Sequence, residues 1–263
     1  MYDLIIRGGT VVDGSGEPGF RADVAVTDGR IAAVGHLAEA EAVETVDATD
    51  RIVCPGFVDP HTHYDAQLFW DPYATPSSHH GITSMVMGNC GFSIAPLGDD
   101  SDAAYLAAML VKVEGMSPDA LSAGVDWNWR SFGSFLDRFE GNLGVNVAGM
   151  VGHSAIRRTV MKDDAVSREA TPDELAQMTS LLAESLEAGG LGFSTSRSFT
   201  HTDGDGLPVP SRTAAVDEVV ALSAVCADHP GTTLEWVADG CLNGFRDDEV
   251  DLMSRMSLAG RRP

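Results

Sequence analysis

Lysine is nearly missing from this 263-residue chain, which carries only Lys112 and Lys162. Counting arginine, 17 cations stand against 39 aspartates and glutamates, a formal net charge of −22. That balance excludes a nucleic-acid partner and an anionic membrane surface, because both require clustered cations. No apolar run approaches the roughly 18 residues of a membrane-spanning helix. The N-terminus, "MYDLIIRGGTVVDG", alternates like a strand and has neither the charged nor the long apolar region of a signal peptide. The four cysteines, Cys54, Cys90, Cys226 and Cys241, form no CxxC and no close pair. That usage fits reduced thiols in the cytoplasm better than a disulfide framework.

A hydrophobic content of 44% suffices to bury a core at this length. Residues 1–50 read as short strands divided by Gly- and Asp-rich turns, with Asp28-Gly29 as a hairpin signal, and predict the N-terminal part of a small β-sandwich module. From residue 51 to 263 the rhythm becomes strand, then helix. "GFVDPH", "GITSMVMGNC", "VNVAGMVGH", "LGFSTS" and "TTLEWV" are the strand candidates. "TPDELAQMTSLLAESLEAGG" predicts a helix with Thr171 as N-cap, Pro172 at its first position and Glu174 closing a capping box. Apolar spacing predicts further helices in "TAAVDEVVALSAVCADH" and "DDEVDLMSRMSLAG", and helical segments in "SDAAYLAAMLVKVEGM" and "SFGSFLDRFEG". Alternating strands and helices call for a parallel α/β sheet, open or closed as a (β/α)8 barrel.

In either architecture the functional side chains gather at the carboxyl ends of the strands. His61 and His63 end the first candidate strand, Asn89 and Cys90 the second, His153 the third, Ser194 to Ser196 the fourth and Glu235 the fifth. On an extended backbone His61 and His63 face one side, so both imidazoles can reach one metal ion. An isolated HxH also fits a surface turn. Cys90 adds a thiolate candidate, and its Gly-rich surroundings, "GNCGFS", favour a ligand over core filler. Two imidazoles and a thiolate suit zinc with one position open for water. His79 and His80 fall at the opposite strand end, and with His36, His201 and His229 they read as surface or turn residues.

The run "VCPGFVDPHTHYDAQ" resembles the first barrel strand of the amidohydrolase superfamily. "YDLIIRGGTVVDGSG", "GITSMVMGNCGFSIAP", "VGHSAIR" and "GGLGFSTSRSF" resemble its D-aminoacylase branch, so the resemblance runs from residue 2 to about 200. It implies a β-sandwich beside an incomplete TIM-type (β/α)8 barrel of about five β/α units. It also implies hydrolysis of the amide of small N-acyl (D-)amino acids by metal-activated water, with His61, His63 and Cys90 as ligands of zinc. Neither lysine ends a candidate strand, which argues against a lysine-bridged metal pair. The family's fifth-strand histidine is replaced by Glu235, readable as a carboxylate ligand or as a buried or rim glutamate. His153 and Arg157 either line the pocket or brace the barrel. Asp59 and Asp65 read as partners that orient the two histidines.

The family's general-base aspartate would lie beyond residue 263. Five strands cannot close an eight-stranded barrel, so the chain reads as the N-terminal portion of a longer protein or a truncated product. Alone it is expected to be inactive and prone to self-association through the open edge. The alternatives are a cyclic-amidase-like amidohydrolase of other specificity and a non-catalytic relic or scaffold that keeps the fold.

Overall fold

The computed structural model describes all 263 residues, which divide into two compact units, Met1–Phe57 and Val58–Pro263. In the first unit β1 (Tyr2–Val11) is central. It pairs antiparallel with β2 (Phe20–Thr27), which pairs with β3 (Arg30–Gly35). Asp28 and Gly29 both adopt positive φ in the turn between β2 and β3, the backbone a two-residue hairpin loop needs. On its other side β1 pairs in parallel with β4 (Ala42–Asp47) and with the short β5 (Ile52–Val53). Val11, Ala22 and Val24 form its small core.

The second sheet contains β6 (Phe57–Asp59), β7 (Ile82–Met87), β8 (Asn146–Gly152), β9 (Gly192–Ser196) and β10 (Thr233–Val237). Their spatial order is sequential, with β7 to β10 parallel. A sheet whose strands always advance in one direction curls toward a barrel, whereas a doubly wound sheet reverses its order partway. The fold is thus a half-barrel of the TIM type, with β10 as an edge. β9 is buried along its whole length, as a parallel strand covered on both faces must be.

The helices are α1 (Asp100–Glu114), α2 (Pro118–Gly124), α3 (Phe132–Leu136), α4 (His153–Met161), α5 (Pro172–Glu187), α6 (Val216–Val225) and α7 (Asp247–Gly260). α5 begins with the capping box expected from sequence: the Thr171 hydroxyl accepts from the Glu174 N–H, and the Glu174 carboxylate accepts from the Thr171 N–H. α4 is the helix that periodicity did not announce. It follows β8 without a loop and buries His153, Arg157 and Arg158 beside its apolar residues, so charge interrupts the apolar stripe. Between β7 and β8 the chain makes a long excursion carrying α1, α2 and α3. An aromatic cluster of Phe69, Trp129, Phe135 and Phe139 anchors it, with ring centroids 4.9–6.2 Å apart. No helix is long and apolar enough to cross a membrane.

Candidate metal centre

β6 stops at Asp59, so the two histidines stand just past the strand rather than on it. The extended arrangement nevertheless carries over, because Thr62 between them donates its N–H to the Val86 carbonyl of β7 at 2.9 Å. The Thr62 hydroxyl and the Asn89 amide reach the same carbonyl. With Thr62 held toward β7, His61 and His63 share the other side, their ring centroids 5.5 Å apart.

Cys90 is brought to them by a turn with unusual backbone angles. Gly88, Cys90 and Gly91 all have positive φ, +75°, +56° and +76°. A side chain at Gly88 would run into the Met150 carbonyl, so that position has to be glycine. Cys90 itself pays the left-handed penalty of a non-glycine residue, and a strained residue held by its surroundings points to function. Two clamps hold it. The Glu235 carboxylate of β10 accepts the Cys90 N–H at 2.8 Å, and the Ser194 hydroxyl of β9 accepts the Gly91 N–H at 3.1 Å.

The Cys90 Sγ then lies 3.1 Å from His61 Nε2 and 3.7 Å from His63 Nε2. The donor atoms of the three residues fall within 4.8 Å of one another. Two carboxylates flank this group. Glu114 Oε1 is 3.6 Å from His63 Nε2, and Glu235 Oε1 is 4.0 Å from His61 Nδ1. A cavity of about 290 Å³ opens beside them, lined by His61, His63, Tyr64, Gln67 and Glu114.

The electrostatics show a place short of positive charge. Burial pushes the Glu235 carboxyl up to about 7 and raises that of Glu114. Burial also raises the Cys90 thiol, helped by the negative charge of Glu235 and Glu114. His63 is lowered to about 4 by burial and by the neighbouring His61 and His201, which keeps its ring neutral and its lone pair available. His63 Nδ1 is buried without a partner. Two imidazoles, a thiol and two carboxylates with no lysine or arginine among them form a donor set that could hold a divalent cation. The thiol and imidazoles favour a metal of zinc's type.

Several sequence expectations need correcting here. Neither Asp59 nor Asp65 touches an imidazole: Asp59 accepts the backbone N–H of His61, and Asp65 accepts that of Gly88. They set the backbone on which the donors stand. His201 lies in a turn, its N–H on the Ser198 carbonyl, but is half-buried there: its ring packs 4.8 Å from that of Phe92 and its Nδ1 bonds the Ser196 hydroxyl at 2.7 Å. Sequence reasoning missed it because it lies in the loop after β9, in a segment without periodicity. Glu114 was missed for a related reason, as it ends a helix of the excursion and not a strand.

His153 and Arg157 brace the fold. His153 bonds Thr195 and Glu218, each at 2.8 Å, and Arg157 places its guanidinium on the same Glu218 carboxylate, all fully or almost fully buried. Lys162 pairs with Asp99 and Asp102, and Lys112 lines a separate surface groove, so no lysine reaches the candidate centre. His79 and His80 are exposed in a turn before β7.

The sequence pattern described as the Amidohydrolase family matches residues 44–263. The chain is 36% identical over 231 residues to a D-aminoacylase of Alcaligenes xylosoxydans xylosoxydans, covering 88% of this chain and 43% of that protein. A solved D-aminoacylase, studied for its binuclear metal centre, superposes with a TM-score of 0.81 at 32% identity, over 100% of this chain and 50% of that one. The N-acyl-D-glutamate deacylase of Bordetella bronchiseptica was solved with zinc and a phosphonate mimic of the tetrahedral intermediate. It superposes at 0.75 with 28% identity, over 99% and 50% of the two chains. The chain spans about half the length of the relatives it matches.

Proposed function

This chain belongs to the amidohydrolase family, and from that premise we propose that it serves the metal-dependent hydrolysis of N-acyl-D-amino acids. The observation that carries the reading is the placement of Cys90 Sγ against both His61 Nε2 and His63 Nε2. In a tetrahedral zinc site nitrogen and sulfur ligands stand about 3.6 Å apart, which the 3.1 and 3.7 Å separations approach. His61, His63 and Cys90 would hold the ion. When bound, it supplies an activated water and polarises the amide carbonyl.

The chain's own residues prepare that chemistry. Asn89 and Thr62 fix the histidine segment on β7. Glu235 and Ser194 fix the cysteine turn, so the three donors are preorganised by bonds from three different strands. The adjoining cavity of about 290 Å³ suits a small acyl amino acid. The absence of lysine from the site supports a cysteine-containing centre over a lysine-bridged one of cyclic-amidase type. The four free cysteines support a reducing, cytoplasmic setting.

The test is metal analysis together with Co(II) absorption on this chain, and a deacylase assay on this chain and on a version extended to the length of its relatives. Wild type and His79→Ala should each bind zinc, and their Co(II) forms should show a thiolate-to-metal charge-transfer band. Cys90→Ala should lose the band and most of the zinc while keeping its far-UV circular dichroism. Equal zinc content in wild type and Cys90→Ala would refute the metal assignment. Hydrolysis of N-acyl-L-amino acids in preference to the D forms would refute the substrate assignment.

A further inference from the structure

Glu114 belongs to no barrel strand, yet its carboxylate reaches His63 of the His–His–Cys group. It is the last residue of α1, and the left-handed Gly115 ends the helix immediately after it. The start of α1 is fixed to α4: Asp102 accepts from Arg158 Nε at 3.1 Å and from Lys162 at 2.6 Å, and Lys162 also pairs with Asp99. Leu106, Met109 and Leu110 are fully buried along its length. A 15-residue helix, about 22 Å long at 1.5 Å per residue, is thereby pinned at one end and delivers a carboxylate at the other.

What the carboxylate does there is decided by its spacing and by its lack of other partners. Glu114 Oε1 lies 3.6 Å from His63 Nε2. That is too long for a hydrogen bond, which runs about 2.7–3.2 Å. It is close to the separation of two ligands of one ion, since nitrogen and oxygen donors about 2.0–2.2 Å from zinc stand about 3.4 Å apart at tetrahedral angles. Arg158 and Lys162, the cations nearest the start of α1, are engaged at that other end. A carboxylate directed at an imidazole nitrogen that also faces a thiol has one evident partner, a shared cation.

We propose that Glu114 is a further donor to this metal centre, contributed by the excursion between β7 and β8 and not by a barrel strand. The proposal rests on the reading that His61, His63 and Cys90 hold a divalent cation. It has a consequence for the fold as well: cation binding would tie the end of α1 to the carboxyl ends of β6 and β7.

The experiment compares the whole chain as wild type, Glu114→Gln, Glu114→Asp and Lys112→Ala. Zinc affinity is measured against a chromophoric chelator, and the Co(II) forms are examined by visible absorption. Glu114→Gln should weaken zinc binding about 10-fold or more and alter the Co(II) d–d bands while the thiolate charge-transfer band persists. Glu114→Asp should fall between, and Lys112→Ala, on the exposed side of the same helix, should match wild type. Unchanged affinity and d–d bands in Glu114→Gln would overturn the proposal while leaving the three-ligand centre standing. An equal loss in Lys112→Ala would trace the effect to helix disturbance and also overturn it. A wild type without a thiolate-to-Co(II) band would fail the underlying reading, and the proposal with it.

Discussion

The Glu235 carboxylate accepts the backbone N–H of Cys90 at 2.8 Å across 145 residues of sequence. It joins the last strand of the half-barrel to a cysteine in left-handed conformation after the second. The bond does two things at once: it satisfies a buried N–H, and it holds a backbone angle that cysteine does not adopt readily. The direction of the thiol thus depends on a residue that sequence reasoning considered only as a ligand or a bystander.

Glu235→Ala leaves the buried Cys90 N–H without its acceptor, so it should cost about 1–3 kcal/mol of stability and weaken the thiolate-to-Co(II) band. Glu235→Gln keeps an acceptor oxygen and should retain most of both. Urea unfolding and Co(II) absorption read the two effects separately. Wild-type stability and band intensity in Glu235→Ala would show that the turn holds Cys90 without help.

The buried triad of His153, Arg157 and Glu218 gives a second expectation. Removing one partner leaves an uncompensated buried charge, so Glu218→Gln should destabilise by about 3–5 kcal/mol. Glu218→Gln combined with Arg157→Met should recover part of that loss, since the orphaned guanidinium is then gone. Metal affinity per folded molecule should not change. A loss under about 1 kcal/mol in the single variant would mean that water or another group replaces the carboxylate.

Asp65 predicts a dependence on pH. It is fully buried, its Oδ1 has no partner, and burial pushes its carboxyl up to about 7 from 3.8. Below about pH 4 it is protonated whether folded or unfolded, and it costs nothing. As pH rises from about 4 to 7 the unfolded chain releases the proton while the folded chain keeps it, so stability falls across that window. At about 1.4 kcal/mol per pKa unit the loss is of order a few kcal/mol. The buried histidines work the other way. His63, His153 and His201 are all lowered by burial, so they remove stability as pH falls below their unfolded value of 6.5. The difference between wild type and Asp65→Asn isolates the aspartate. With a chelator present, Asp65→Asn should gain stability relative to wild type on going from pH 4 to pH 7. A difference that stays constant over that range would place the Asp65 proton elsewhere.

Sequence alone determined whatever local pattern encodes. The capping box at Thr171 and Glu174 is written in four residues, and the hairpin at Asp28-Gly29 in two. The common face of His61 and His63 follows from extended geometry, and the alternation of strands and helices called for a parallel sheet, whose barrel-like curl only the strand order decided. Cys90 was legible because glycines surround it.

Tertiary structure decided which distant groups meet those residues. Glu114 arrives on the end of a helix in an excursion whose path no periodicity specifies. His201 folds back from an irregular loop, and Glu218 finds His153 and Arg157 across 65 and 61 residues. Asp59 and Asp65 show the same limit in reverse: their spacing from the histidines suggested ring partners, yet their carboxylates turn to backbone N–H groups. Periodicity records which face of an element is buried, because burial repeats with the helix or strand. It does not record where a buried charge finds its counter-charge, because that depends on loop paths and on desolvation, which forces each buried polar group to take a partner the fold brings near.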